Sequence, residues 1–544
     1  MSRDRKHLSD SGRTRLLRAC KPLVLLLLAF AAGQAFAQDA PTLQVVADAA
    51  KSSASAASDT TTSINIMWTI IAGFLVFFMQ AGFALVETGF TRTKNTAHTM
   101  MMNMMVFCIG AVGYWLVGFA FQFGAVNQAY AGVGNASAIA GDWAHSPTSL
   151  GDWGKMLGSS LLRVGQLGFL GGSGFCLLGT GGVTGILAFF LFQTVFMATT
   201  ATIPTGSMAE RFKFSGFVLM SFWVSMIAYP IAGNWVWGGG WLQNIGRWAG
   251  FGHGAVDFAG SGVVHFIGGC VALAGCVVIG PRIGRFNRDG SANALPGHNI
   301  PFGILGTIIL FFGWFGFNPG SALAFTGGGA FLASNAAVNT LIAGAVGGCA
   351  AMFYMWWFGP SKKPDPSMSA NGILAGLVAI TAPCAFVDSV GAMIIGLVAG
   401  VWVCLASALL ERMHIDDPVG AIPVHFANGL WGVIATGLFA CGVPASEGWN
   451  GVKGTVRGLF YGDGLQFVAQ LCEVAALFAF VFGASLVFFK ILNARGLLRS
   501  KPEDELEGLD IPEMGAPGYS SVDLMMPGGR LIPQAPKAGR WGKE

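Results

Sequence analysis

Asp257-Phe-Ala-Gly260-Ser-Gly-Val-Val264-His265 and Asp417-Pro-Val-Gly420-Ala-Ile-Pro-Val424-His425 are two copies of one pattern, D-x-x-G-x-x-x-V-H, and each stands at the head of a long apolar run. Runs of that kind recur along the chain, each holding about 20 residues, enough to cross roughly 30 Å of hydrocarbon as helix. The composition agrees: 53% of the 544 residues are hydrophobic and 11% are charged, against roughly 25% charged in an ordinary soluble domain. The chain therefore reads as an all-α polytopic membrane protein held in a lipid bilayer. A formal charge of +4, scattered along the chain, gives no footprint for nucleic acid. The ten cysteines form no CxxC pair, and Cys270, Cys276, Cys349 and Cys404 sit inside apolar runs as small hydrophobes.

Outward from the repeat, polar punctuation divides the chain into about eleven spans on the ~20-residue criterion. Their expected limits are 64–90, 99–124, 182–209, 213–238, 258–281, 299–321, 331–357, 367–387, 389–411, 417–441 and 464–491. Basic residues gather in alternate connections: Arg92 and Lys94; Arg211 and Lys213; Arg282, Arg285 and Arg288; Lys362 and Lys363; Arg412; then Lys490, Arg495 and Arg499. Such a bias marks the cytoplasmic side, which places the N-terminus outside and the C-terminus inside.

Ahead of the spans, Arg13, Arg15, Arg18 and Lys21 precede the short apolar stretch 22–32, and Ala35-Phe36-Ala37 offers a cleavage site. Residues 1–37 read as a signal peptide of a protein of the bacterial inner membrane. Residues 38–62 form a flexible extracytoplasmic leader, 63–494 the membrane domain and 495–544 a charged cytosolic tail. The 125–181 connection is external, and its Gly-rich end from Leu167 is expected to pack onto the helices.

By this topology the fifth span enters from outside and the tenth from inside, so the two copies of the motif run in opposite directions. That is the trace of a five-plus-five inverted repeat. Eight helical residues rise about 12 Å, which carries His265 and His425 toward the midplane from opposite faces. A single membrane histidine is often satisfied by a neighbouring carbonyl, but ionisable groups in spanning helices default to function. Two histidines without a carboxylate or thiolate beside them make a poor metal set, and neither a metal nor a cofactor is expected. A neutral imidazole pair can share one proton along a line of polar atoms, which suits a small, proton-carrying solute.

Asp257 and Asp417 stand where helix caps belong, and Asp257, at the outer mouth, could also stabilise an arriving cation. Trp314, Phe317 and Ser321 fall at i, i+3 and i+7, and Phe192 and Phe196 at i and i+4, so each set is expected on one helix face. Such stripes are more often packing, and beside the histidines they also fit a gate. Trp237 is an interfacial belt residue or a ring offered to a cation.

These residues resemble the Amt/Mep/Rh ammonium transporter family, bacterial Amt type, from about Ile64 to Gly518. The resemblance rests on Asp257–His265, Gly313-Trp314-Phe-Gly-Phe317-Asn318-Pro-Gly-Ser321, Asp416-Asp417-Pro-Val-Gly and Gly508-Leu509-Asp510-Ile511. It implies a transporter rather than an enzyme, built as a homotrimer with one pore per subunit. Trp237, Ser321 and Phe196 would bind ammonium, or its analogue methylammonium, with Asp257 needed nearby. Phe196 and Phe317 would form the gate, and His265 and His425, with Phe192 and Trp314, the pore that passes ammonia. The tail from Glu503 to Gly515 would couple subunits and meet a PII-type signalling protein. One departure is Gly420, where some bacterial members carry Asp. Two other functions compete: an ammonium sensor signalling through its tail, which the want of an output domain after the last span disfavours, and an Rh-like neutral gas channel, which the Trp237/Ser321 cation site disfavours.

Overall fold

The computed structural model describes residues 53–124, 160–164, 167–178 and 184–519. The signal peptide and residues 38–52 of the leader fall outside them, while residues 53–62, expected to be flexible, are helical. The chain divides between Thr60 and Thr61, and the architecture below is that of the second unit.

Among the described residues ten helices are long and apolar enough to cross a membrane. They are α1 (Thr60–Phe90), α2 (Thr93–Phe123), α3 (Thr184–Ser207), α4 (Phe214–Trp237), α5 (Ser261–Ile279), α6 (Ile300–Ala322), α7 (Gly327–Trp357), α9 (Ser389–Arg412), α10 (Ile422–Phe439) and α11 (Gly464–Ala494). A shorter apolar helix, α8 (Pro366–Ile380), occupies the place of the eighth expected span. It stops early because Thr381 to Phe386 turn, with Pro383 unable to continue a helix, and pair with the chain ahead of α5: Phe258 and Ala259 donate their N–H to the carbonyls of Ala382 and Thr381 at 3.1 Å. Phe74, Phe78, Ile308, Phe312, Phe331 and Trp357 are exposed, as lipid-facing side chains of a helical polytopic membrane fold are.

The connections gather at two ends. At one, Arg282 bridges Glu210 (2.7 Å) and Asp416 (2.8 Å), Glu210 also pairs with Arg92, and Arg285 reaches Glu411 (2.5 Å). These are the connections in which the sequence concentrates its basic residues. The tail closes over them. Arg499 pairs with Glu505 at 2.8 Å, Lys94 donates to the carbonyls of Glu505 and Leu506, and Asn95 and Asp510 accept the N–H of Leu509 and His98, each at 2.9 Å. The tail holds two short helices, α12 (Pro502–Glu507) and α13 (Asp510–Met514).

At the other end lies an element outside the all-α expectation, an antiparallel hairpin of β1 (Ser160–Val164) and β2 (Leu167–Gly171). It docks as the Gly-rich stretch suggested: the carbonyls of Gly168 and Phe169 accept from Trp241 N and the Trp235 indole at 3.0 and 3.2 Å.

Candidate functional site

Both copies of the repeat fold alike. The Asp257 carboxylate accepts the N–H of Gly260, Gly262 and Val263 at 2.8–2.9 Å. The Asp417 carboxylate accepts those of Val419, Gly420 and Ile422 at 2.7–3.3 Å. Each thereby satisfies the free donors of a helix start. The fourth residue of the pattern is Gly in both copies because the backbone turns there with positive φ, +112° at Gly260 and +80° at Gly420, a region that costs a side chain.

Helix does not begin at the aspartates, so the eight-residue rise expected from sequence is wrong: residues 257–260 make the capping turn, and the histidines sit within the first turns of their helices. Those turns are π-helical, Ser261–Phe266 and Ile422–Ala427, a wide form common at functional sites.

The two imidazoles meet: His265 Nδ1 lies 3.1 Å from His425 Nδ1. Both are buried. The residues after them meet too. Phe266 and Phe426 stack with centroids 5.1 Å apart, and four residues past each histidine stands a glycine whose absent side chain makes room for the other copy. A Cβ on Gly269 would lie 2.4 Å from Phe426 N, and one on Gly429 would lie 2.8 Å from Phe266 N. The repeat thus extends to H-F-x-x-G, a signal that stood in the sequence.

Aromatic rings lead from the histidines in one direction. His265 stacks on Trp314 (5.2 Å) and Phe317 (5.4 Å); Phe317 stacks on Phe196 at 4.0 Å and 21°. Phe196 in turn touches Phe192 (4.5 Å) and Trp237 (6.2 Å). The Trp237 indole donates to the Asp257 carbonyl at 2.7 Å, and the Trp314 indole to Thr381 Oγ1 at 3.0 Å. Phe192, Phe196, Trp314 and Phe317 are buried, while Trp237 and Ser321 keep partial exposure. Ser321 departs from the expected helical stripe. The α-helical part of α6 ends at Phe317, ahead of Pro319, and Ser321 lies in a 3₁₀ turn, its hydroxyl donating to the Phe317 carbonyl at 2.9 Å.

Within the spanning helices two buried carboxyls escaped the sequence reading, Glu87 and Glu473, because a single acid in an apolar run shows no periodicity. Glu473 Oε2 accepts from Gln470 Nε2 at 3.1 Å, and its Oε1 has no hydrogen-bond partner among the described residues. A point one Cβ out from Gly262 is 2.4 Å from Glu473 Oε1 and 3.1 Å from Asp257 Oδ2, so the two acids crowd the same helix start. Among the described residues no group of three or more His, Cys, Asp or Glu could hold a metal ion.

Comparison with known proteins places these features. The model of the Ammonium Transporter Family matches residues 67–519. Ammonium transporter Amt2 of Archaeoglobus fulgidus is 42% identical over 462 residues, covering 84% of this chain and 88% of that protein. A putative ammonium transporter of Synechocystis is 37% identical over 465 residues, covering 84% and 90%. Among solved structures, one described as a Sensor Amt Protein superposes with a TM-score of 0.69 at 32% identity, covering 84% of this chain and 99% of that one. Candida albicans Mep2 gives 0.64 at 25%, covering 81% and 87%.

Proposed function

The chain belongs to the Ammonium Transporter Family, and from that premise we propose that it recruits NH₄⁺ at Trp237, Phe196 and Ser321 and conducts NH₃ past His265 and His425 while the proton travels separately. A cation over an indole face gains about 0.5–2 kcal/mol, and a hydroxyl adds a hydrogen bond that a solute without a proton to donate cannot return. Beyond the stacked Phe196 and Phe317 the two imidazoles lie among buried side chains such as Trp314, Phe83 and Leu310, where a bare cation is costly and a neutral ammonia molecule is not.

The observation that carries the reading is the Nδ1–Nδ1 contact of 3.1 Å. Two facing ring nitrogens form a hydrogen bond only if one carries the hydrogen and the other accepts it. The pair is therefore asymmetric, with one Nδ1–H tautomer and one Nε2–H tautomer. A proton reaching one outer nitrogen can be matched by release from the far one, so the pair relays charge while ammonia moves beside it.

The reciprocal packing of Phe266, Gly269, Phe426 and Gly429 supports a five-plus-five inverted repeat. With α8 and its terminal turn taken as a further crossing, eleven spans leave the N-terminus outside and the C-terminus inside. The end rich in Arg92, Arg282 and Arg285 is then cytosolic, which fits a bacterial inner membrane and leaves the docked tail where a PII-type protein could reach it; the homotrimer comes from the family resemblance. Curated relatives named as transporters favour transport over a sensing role. Uptake that depends on membrane voltage is the expected result for this mechanism; uptake indifferent to voltage would mean a neutral gas channel instead.

A further inference from the structure

On the side of the histidine pair away from Trp237, a cavity is lined by His425, Phe83, Leu310, Asn371, Val419 and one carboxyl, that of Glu87 on α1. Asn371, Val419 and Gly420 also line a second, larger cavity, whose ionisable side chains are Arg285, Asp365, Glu411 and Asp417. Glu87 therefore stands between the histidines and the end of the molecule where the basic connections gather. His425 shares its cavity, and Asp417 lines the adjoining one with Val419 and Gly420.

Hydrogen counting shows what this carboxyl can do. Glu87 is 3% exposed. Asn103 Nδ2 donates to its Oε2 at 2.7 Å, and Thr205 Oγ1 lies 2.9 Å from each of its oxygens. The same Thr205 oxygen is 2.5 Å from the carbonyl of Thr202. A hydroxyl has one hydrogen to give. With that hydrogen on Thr202, the contact to Thr205 needs one from Glu87, which is then a neutral acid. With the hydroxyl turned toward Glu87, an ionised carboxylate accepts from both Thr205 and Asn103. The same neighbours serve both charge states.

We propose that Glu87 is the proton-return station of the inner half of the path, an inference that rests on separate passage of ammonia and proton past His265 and His425. A proton released from His425 forms the O–H bond of Glu87. That bond breaks as the ammonia lone pair takes the proton, leaving ammonium and a carboxylate that the next proton resets. Asn371, Val419 and Gly420 connect this point to the larger cavity, through which the ion departs.

The test uses the full chain in proteoliposomes, with ammonium-evoked current and lumenal alkalinisation, which reports ammonia entry, followed in parallel. Glu87→Gln keeps the shape and the acceptor for Asn103 but carries no exchangeable acid. It is expected to lose current by roughly tenfold or more while ammonia still enters, and Glu87→Asp to recover current with a displaced pH profile. Wild-type current and pH profile in Glu87→Gln would overturn the assignment and leave the proposed function standing; so would joint loss of current and ammonia entry in a correctly assembled Glu87→Gln. If that variant does not assemble, Thr205→Val decides: a several-fold slower current supports the assignment and an unchanged one refutes it. A wild-type protein without ammonium-evoked current refutes the parent reading, and this inference with it.

Discussion

Substituting Gly269 by Ala disturbs the histidine pair without touching either imidazole. The added methyl would fall 2.4 Å from Phe426 N, 2.5 Å from its Cα and 2.7 Å from its Cβ. Backbone cannot swing aside as a flexible side chain can, and carbon contacts settle near 3.5–4.0 Å, so α5 and α10 must part by roughly 1 Å. Overpacking of this kind costs about 1–3 kcal/mol. The site is one helical turn from His265, and a similar opening there takes the 3.1 Å contact past the roughly 3.5 Å at which a hydrogen bond ceases to count. A neutral hydrogen bond contributes about 0.5–1.5 kcal/mol, equivalent to a roughly two- to tenfold slower proton hand-over. Gly429→Ala should do the same, because its Cβ meets Phe266 N at 2.8 Å and the Ser261 carbonyl at 2.6 Å. Gly483→Ala is the control, since a Cβ there meets nothing within 4 Å and current should be unchanged. The assay is ammonium-evoked current per assembled protein in proteoliposomes. Wild-type current in both Gly269→Ala and Gly429→Ala would refute the claim that this packing sets the proton path.

Trp237→Leu removes the ring proposed to face the cation; methylammonium affinity measured by competition is expected to fall roughly two- to thirtyfold, the equivalent of about 0.5–2 kcal/mol, and an unaltered affinity counts against recruitment there. Arg282→Met strips the buried Glu210 and Asp416 of their shared cation. Arg282 is 4% exposed and its partners 0% and 1%, so thermal unfolding in detergent should show a loss of about 3–5 kcal/mol. The same network sets an acid limit. Burial pushes the Asp416 carboxyl up, but hydrogen bonds from Arg282 and the charges of Arg211 and Arg282 outweigh it and hold the group well below the ordinary carboxylate value. A folded value depressed in this way stabilises the protein fully above the unfolded value, about pH 4, and that stabilisation drains away as the pH falls further. Arg282→Met should flatten this acid loss in a melting series.

The pattern D-x-x-G-x-x-x-V-H was legible because two copies demand the same local geometry: a capping carboxylate, a glycine at positive φ and a histidine one turn later. Ten of the eleven expected spans were legible from length and apolarity, which a bilayer imposes residue by residue; the eighth, expected to reach residue 387, ends as helix at Ile380. Where a feature depends on which faces meet, the sequence was silent. Phe266 and Phe426 follow the histidines as one more matching position of the repeat, but only the fold brings the two rings into a stack. The stripe Trp314, Phe317, Ser321 kept helical spacing on paper, but Pro319 changes the backbone before Ser321 is reached. Glu87 and Glu473 are single carboxyls whose partners, Asn103, Thr205 and Gln470, reach them through the fold rather than through any motif. The hairpin Ser160–Gly171 sits in a connection whose composition announced packing but not strand.

The central claim is that His265 and His425 carry the proton that ammonia leaves behind. Current recorded from reconstituted protein under an inward ammonium gradient tests it most directly, with wild type beside the His265→Ala, His425→Ala double variant. The account predicts a current in the wild type that collapses in the double variant. An equal current in both, or ammonium uptake without current in the wild type, would contradict it.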